Sequence, residues 1–128
     1  MLVAIVALLA AVLPGIKTPS GNITCIATPG ALRCDIARSA YGARLQARCI
    51  APPTKLDWHG FELTTTGKGQ VACSGGVLVT GPVPYRVLAY GRTWRRDGFT
   101  CVSRTTGLTC TNRTGHGLFL SRASYRTW

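Results

Sequence analysis

A chain of 128 residues with six cysteines and a formal net charge of +11 is long enough for one domain with one modest core. Its four acidic residues are scattered along the chain, which argues against a glycosidase, because that chemistry needs two carboxyl groups in one cleft. Fifteen basic residues against these four acids create a positive field that favours anionic partners.

The chain opens with an apolar, uncharged run over residues 1–13. A membrane-spanning helix needs about 20 apolar residues, so this run is too short to span. It is typical of the apolar region of a secretory signal peptide, ended here by Pro14. We predict a signal-peptide-like segment at 1–16, a mature chain that starts between residues 11 and 18, and a single secreted all-β domain at 17–128. The alternative is a buried N-terminal helix, which the polar sequence SGNITC directly after the run disfavours.

The same cysteine frame occurs twice, as ITCIATPGALRC at 23–34 and FTCVSRTTGLTC at 99–110. An antiparallel hairpin places the two cysteines of a Cys-x8-Cys stretch opposite each other, within reach of a disulfide. Side chains alternate between the faces of a strand, so each cysteine shares its face with apolar neighbours. We therefore predict two hairpins, each cross-linked on its core face.

The hairpin register follows from opposing the two cysteines of each copy. In the first copy Pro29 and Gly30 fall at the centre, where they favour a type II turn. In the second copy Gly107 lies near the bend. The predicted opposed pairs are Cys25–Cys34, Ile23–Ile36, Ala27–Leu32, Cys101–Cys110, Phe99–Asn112 and Ser103–Leu108.

Six cysteines allow 15 pairings, and the two hairpin bridges reduce these to one. With Cys25–Cys34 and Cys101–Cys110 formed, Cys49 and Cys73 remain for each other. An even cysteine count in a small chain with a signal-like start is typical of disulfides in secreted proteins. A zinc site is disfavoured, because there is no C-x2-C knuckle and the two histidines, His59 and His116, are far apart in the sequence. We predict neither a metal nor a cofactor.

Elsewhere short strand patterns are separated by Gly, Pro and Thr. The strand candidates are FELTTT (61–66), QVACS (70–74), RVLAYG (86–91) and GLFLS (117–121). RSAYGARLQA (38–47) contains helix formers, but Gly42 interrupts it, so a loop or a single turn is predicted there. SGGVLVTGPVP (74–84) is predicted as a turn-rich connection. The fold class is therefore all-β, a small disulfide-bonded sandwich or barrel built from antiparallel hairpins.

Six stretches together resemble a known family in their order and spacing. They are TPSGNITC, LRCDI, TTTGKGQVAC, LAYG, GLTCTN and GHGLFLSRASY, and they extend over residues 18–125. The chain resembles a family of small secreted actinobacterial proteins that is classed only as a domain of unknown function. The resemblance implies export and a compact disulfide-bonded domain, and it implies no activity.

Two segments combine arginine with aromatic residues, YGRTWRR (90–96) and LSRASYRTW (120–128). Arginine binds phosphate and carboxylate in a bidentate manner, and aromatic faces accept sugars, bases or guanidinium groups. We predict a monomeric, non-enzymatic binder of anionic envelope polymers or nucleic acid, extracellular or at the cell envelope, without a stable membrane span after processing. The predicted binding residues are Arg92, Trp94, Arg95, Arg96, Arg122 and Arg126. The alternative for both segments is aromatic core packing with solvated arginines.

Two other functions are compatible with the residue types. A small secreted ribonuclease needs a base, an acid and a group that holds the phosphate. Candidates for these roles are Glu62, His116 and one of Arg86, Arg92, Arg95 or Arg96. His116 lies between two glycines, however, where a turn residue is expected. An inhibitor of an acidic secreted enzyme is also open, since rigid loops suit inhibition and a basic target would repel this chain.

Overall fold

The computed structural model describes residues 12–75 and 85–128, whose strands form two sheets. The six-stranded sheet contains β1 (Gly15–Lys17), β2 (Ile23–Ala27), β3 (Ala31–Ile36), β4 (Trp58–Thr64), β5 (Gln70–Cys73) and β6 (Tyr85–Val87), in the spatial order β5-β4-β3-β2-β1-β6. The five-stranded sheet contains β7 (Thr93–Arg96), β8 (Phe99–Arg104), β9 (Gly107–Thr111), β10 (Gly117–Leu120) and β11 (Tyr125–Thr127), in the order β11-β10-β9-β8-β7. A helix, α1 (Gly42–Ile50), follows β3.

The two sheets share one hydrophobic core. Buried side chains from both sheets, such as Phe61 of β4 and Phe99 of β8, belong to the same cluster. Neither sheet closes on itself within the described residues. The predicted all-β class is confirmed, and of the two predicted architectures the open sandwich is correct and the barrel is wrong.

Both predicted hairpins form with the predicted register. In the first, Cys25 opposes Cys34 and Ile23 opposes Ile36. In the second, Cys101 opposes Cys110. The predicted type II turn is wrong, because Gly30 lacks the positive φ that this turn requires at its third residue.

All three predicted disulfides are present, and two of them meet in the centre of the core. The bridges Cys25–Cys34 and Cys101–Cys110 join residues whose Cα atoms are 4.1 Å apart in both hairpins. The sulfur atom of Cys110 lies within 4.8 Å of the sulfurs of Cys25 and Cys34. The first bridge belongs to the six-stranded sheet and the second to the five-stranded sheet, so the two disulfides form a direct contact between the sheets.

The prediction of a loop or single turn at 38–47 is wrong, since α1 begins there and runs to Ile50. Gly42 is the first residue of the helix, so it does not interrupt it. Tyr41, Leu45 and Cys49 follow at intervals of four residues and are all buried, which gives the helix one core face. The Cys49–Cys73 disulfide then ties its last turn to β5. The helix is thus stabilised mainly by tertiary contacts, which local propensity does not reveal.

The predicted strands are found with shifted ends. The pattern at 61–66 belongs to β4, which begins earlier, at Trp58, and ends at Thr64. The pattern at 86–91 contains only the end of β6. In β10 the core residues are Leu118 and Leu120, so Phe119 lies on the outer face. The connection predicted at 74–84 falls almost entirely outside the described residues.

The strand β1 lies inside the six-stranded sheet, next to the edge strand β6. β1 pairs with β2 on one side and with β6 on the other, and Ile16 is only 1% exposed. The backbone carbonyls before it are also used, since Leu13 accepts the indole N–H of Trp94 and Pro14 accepts the N–H of Ala27. Residues 1–11 of the predicted signal segment lie outside the described part. No helix within residues 12–75 and 85–128 is long and apolar enough to cross a membrane.

The position of β1 leads to a first prediction, on processing. We expect signal-peptide cleavage to fall on the N-terminal side of Val12, because cleavage after residue 16 removes Gly15 and Ile16 from the strand that joins β2 to β6. N-terminal sequencing of protein recovered from the culture medium measures this directly. A chain that starts at Val12 should unfold cooperatively, whereas one that starts at Thr18 should not. A folded mature protein that starts at residue 17 or 18 would contradict the prediction.

A second prediction concerns Tyr41, whose buried hydroxyl donates a hydrogen bond to the carbonyl of Ser121 at 2.8 Å. Burial, together with repulsion from Tyr125, raises the pKa of Tyr41 from 10.0 to about 12. The neutral form is therefore favoured in the folded state, and its contribution to stability is complete below pH 10 and lost as the pH rises towards 12. Between these values the unfolding free energy of the wild type should fall more steeply than that of Tyr41→Phe. Parallel loss of stability in denaturant titrations of the two proteins would exclude this role for Tyr41.

Candidate functional site

The first predicted binding segment lies on β7, at one edge of the five-stranded sheet. Trp94 is only 5% exposed and donates its indole N–H to the carbonyl of Leu13 at 3.1 Å. Arg96 is partly buried, with an ion pair to Asp97 at 3.4 Å and a hydrogen bond to the carbonyl of Val12. Arg95 is exposed. The ring of Trp94 is therefore part of the core and is not presented to a ligand.

The second predicted segment lies at the opposite edge of the same sheet. β11 and β7 are four strand spacings apart, which corresponds to about 19 Å. Arg126 of β11 lies over the rings of Phe119, at 5.7 Å, and Trp128, at 5.3 Å. These aromatic faces thus contact the protein's own guanidinium group. The arginines on β7 and β11 therefore lie at opposite edges of the sheet, and only Tyr90 of the first segment and Ser121 and Arg122 of the second line a common cavity.

Arg122, in the β10–β11 connection, belongs to a different cluster. At one end of the sandwich, connections from both sheets enclose a cavity of about 570 Å³, here called the basic cavity. Arg38, Arg104 and Arg122 line it, and all three are exposed. The other residues of the lining are Thr18, Ser20, Gly21, Asn22, Ile23, Ala37, Tyr90, Thr105, Thr106, Gly107, Leu108 and Ser121.

The backbone that carries these arginines is held by hydrogen bonds between connections. The side-chain amide of Asn22 donates to the carbonyl of Arg38 at 2.9 Å, and its oxygen accepts the N–H of Arg38 at 2.8 Å. The carbonyl of Arg122 accepts the N–H of Ala40 at 2.8 Å. Arg104 is the last residue of β8 and pairs with Gly107. The basic cavity is therefore preformed at the level of the backbone.

The charged side chains that line the basic cavity are all positive. Its lining contains three guanidinium groups and no carboxylate. In the described part of the chain, the ion pairs are Arg33–Glu62 at 3.1 Å and Arg96–Asp97, so they involve none of the three cavity arginines. Tyr90, half exposed, adds an aromatic ring to the rim. Such a cavity favours an anion with several charged oxygens, which arginine binds through paired N–H groups.

A second cavity adjoins the first and shares Ala37, Arg38 and Arg122 with it. This cavity encloses about 710 Å³ and contains the partly exposed Trp58, so we call it the tryptophan cavity. The indole N–H of Trp58 donates to the carbonyl of Gly60 at 2.9 Å. Its backbone N–H donates to the side-chain oxygen of Gln46 at 2.8 Å. The first hydrogen bond orients the ring, and the second holds the backbone that carries it.

The ribonuclease candidates do not meet in the described structure. Glu62 lies on the outer face of β4, where it forms its ion pair with Arg33. Arg86 of β6 is four strand spacings away, about 19 Å. Arg92, Arg95 and Arg96 are at the β7 edge of the other sheet. His116 lies in the β9–β10 connection, and its carbonyl accepts the backbone N–H of Asn112 at 3.0 Å, which agrees with the turn interpretation. Its own backbone N–H donates to the side chain of Asn112 at 3.1 Å.

Sequence reasoning missed Arg38, Arg104 and Trp58. Arg104 precedes the bend of the second predicted hairpin, so its place at a turn was readable from the cysteine frame. The neighbour that this turn meets depends on how the two sheets stack, and no local pattern gives that. Arg38 and Trp58 lie on connections and strand ends without any motif.

Comparison with known proteins gives a family and no activity. No curated protein and no solved structure matches this chain. A family model described as a family of unknown function (DUF6636) matches residues 1–127. This match confirms the resemblance to a family of unknown function found in the sequence. Because it covers nearly the whole chain, the protein belongs to the DUF6636 family, a family of unknown function.

Proposed function

We propose that this protein binds anionic polymers of the cell envelope without acting on them, and that the basic cavity is its binding site. The observation that carries the proposal is the convergence of Arg38, Arg104 and Arg122 on one cavity that has no carboxylate in its lining. Keeping three like charges together without partners costs stability. An anionic ligand compensates that cost.

The charge of the whole chain supports a polymer as the ligand. A net charge of +11 attracts polyanions over a longer range than any single contact and speeds their encounter with the cavity. Exposed arginines elsewhere, such as Arg44 and Arg48 on α1, add to this field. Three disulfides fit an oxidising compartment outside the cytoplasm, where envelope polymers with phosphate or carboxylate groups occur.

The composition of the basic cavity supports binding without catalysis. A hydrolase places a proton acceptor and a proton donor within hydrogen-bond reach of the reacting group. The residues that line the cavity include no histidine and no acidic side chain. Its polar side chains carry guanidinium groups, hydroxyls and one amide, which hold an anion by donating hydrogen bonds.

A third prediction tests this function with inorganic polyphosphate as the probe. The triple variant Arg38→Gln, Arg104→Gln, Arg122→Gln should bind at least about tenfold more weakly at low salt, since three charge-assisted contacts are lost. The slope of log affinity against log salt should fall by about 2, at about 0.7 per contact for a single-stranded polyanion. Binding and chain length of the probe are both followed, and the probe should remain intact.

The matched control removes the same charge from the segments identified in the sequence. The variant Arg92→Gln, Arg95→Gln, Arg126→Gln should bind polyphosphate within about threefold of the wild type, because only the general field changes. Equal weakening by both triple variants would show that net charge alone drives binding. Weakening by the control variant alone would move the site to the sheet edges. Either result would overturn the proposal.

A further inference from the structure

We infer that the tryptophan cavity is a second subsite, that Trp58 packs against a sugar ring there, and that the ligand is therefore an anionic polysaccharide. This inference rests on the proposed function, because it assigns the anionic groups of the same ligand to the basic cavity. It adds a residue, Trp58, and a ligand class that charge alone does not give.

The Trp58 ring is oriented by the protein and is partly exposed. The hydrogen bond from its indole N–H to Gly60 and the packing against the rings of Tyr41 and Phe61, whose centroids lie 6.4 and 5.9 Å away, set its orientation. It lines the cavity together with small residues, among them Ala40, Gly42 and Ala123. A side chain at Gly42 would approach within 3.3 Å of the ring, so glycine keeps this side of the indole uncovered. A fixed aromatic ring loses little entropy on binding.

The two cavities are adjacent and share two arginines in their linings. Arg38 and Arg122 line both, so a ring in the tryptophan cavity lies beside a guanidinium group that also reaches the basic cavity. Apart from these two arginines, the lining of the tryptophan cavity is uncharged. The ligand that fits is one in which rings alternate with anionic substituents. Inorganic polyphosphate has the charges and lacks the rings.

A sugar ring fits better than a nucleobase. The C–H faces of a sugar are apolar and suit an indole, while its hydroxyls suit Thr105 and Thr106, two exposed side chains of the basic cavity that can donate and accept hydrogen bonds. A base is read through its edge, most often by an amide or a backbone group. The amide in this lining, Asn22, has both ends engaged by the backbone of Arg38. Nucleic acid binders also use a series of stacking rings, whereas each of these two cavities has one aromatic residue.

The test compares polygalacturonate, inorganic polyphosphate and poly(U) as probes for the full chain. Trp58→Phe should weaken polygalacturonate binding about tenfold and change polyphosphate binding less than twofold, because polygalacturonate has sugar rings that contact Trp58 and polyphosphate has no rings. Trp128→Phe, which alters another partly exposed tryptophan at the β11 end of the other sheet, should change neither. Melting curves of both variants report on folding.

A second measurement does not alter Trp58. In the Trp128→Phe protein, acrylamide quenches mainly the fluorescence of Trp58, because Trp94 is buried. Polygalacturonate should protect this fluorescence, and polyphosphate should not.

The outcomes separate the two proposals. If the cavity-arginine triple variant lowers affinity for both polygalacturonate and polyphosphate, the proposed function stands, and Trp58 then decides the subsite. Two results would overturn the subsite and leave the proposed function intact. One is that Trp58→Phe binds polygalacturonate as tightly as the wild type does. The other is that polygalacturonate does not protect Trp58 from quenching by acrylamide. If Trp58→Phe weakened only poly(U) binding by about tenfold, the ligand of this subsite would be nucleic acid and not a polysaccharide. If the triple variant of Arg38, Arg104 and Arg122 bound polyphosphate as tightly as the wild type does, the proposed function itself would be overturned.

Discussion

The contact between two disulfides in the middle of the core sets the arrangement of the whole sandwich. Each bridge lies on the inner face of one hairpin, β2–β3 in one sheet and β8–β9 in the other, and their sulfurs approach within 4.8 Å. A hairpin cross-linked in this way cannot slip in register, because a shift of one residue would turn its cysteines outward. With both registers fixed and the bridges in contact, the two sheets have little freedom to slide over each other.

The basic cavity follows from this contact. At the end of the sandwich where β2 begins and β3 ends, the first hairpin is open, with Ile23 and Ile36 at its mouth. At the same end the second hairpin closes, with its bend between Arg104 and Gly107. The strand ends of the first hairpin and the bend of the second do not pack against each other closely, so a cavity remains between the sheets at this end. Connections that carry Arg38 and Arg122 border this cavity, and their backbone is tied in place by Asn22 and Ala40.

The sequence was sufficient where the determinants are local. Cysteine spacing and alternation gave both hairpins, their register and, by elimination, the Cys49–Cys73 bridge. The helix was missed because its stability comes from burial of Tyr41 and Leu45 and from that same bridge, which are contacts with distant parts of the chain. β1 was missed for a related reason. Its Ile16 lies in the segment predicted as signal-peptide-like, and pairing with β2 and β6, which are distant in sequence or separated by a turn, makes it part of a strand.

The candidate site was harder to predict than the fold, because facing and clustering are properties of the tertiary structure. The sequence YGRTWRR has the composition of a binding segment. In the strand, however, successive side chains point to opposite faces, so Trp94 is buried in the core and Arg95 is exposed. The arginines that do cluster come from two connections, which carry Arg38 and Arg122, and from Arg104 at the end of β8. Of the three, only Arg122 lies in a segment that the sequence pattern singled out for binding. The sequence likewise does not distinguish Trp58 from other strand residues. Only the tertiary structure shows that small residues, Gly42 and Ala123, line a cavity beside it.

Chemical-shift mapping tests most directly whether the anion site lies at this end of the sandwich. Inorganic polyphosphate is titrated into ¹⁵N-labelled protein, and the backbone amide signals are followed. The account predicts saturable shifts at Arg38, Arg104, Thr105, Thr106 and Arg122, with little change along β7 and β11. Shifts that concentrate on Thr93–Arg96, or that spread evenly over all exposed arginines, would contradict it.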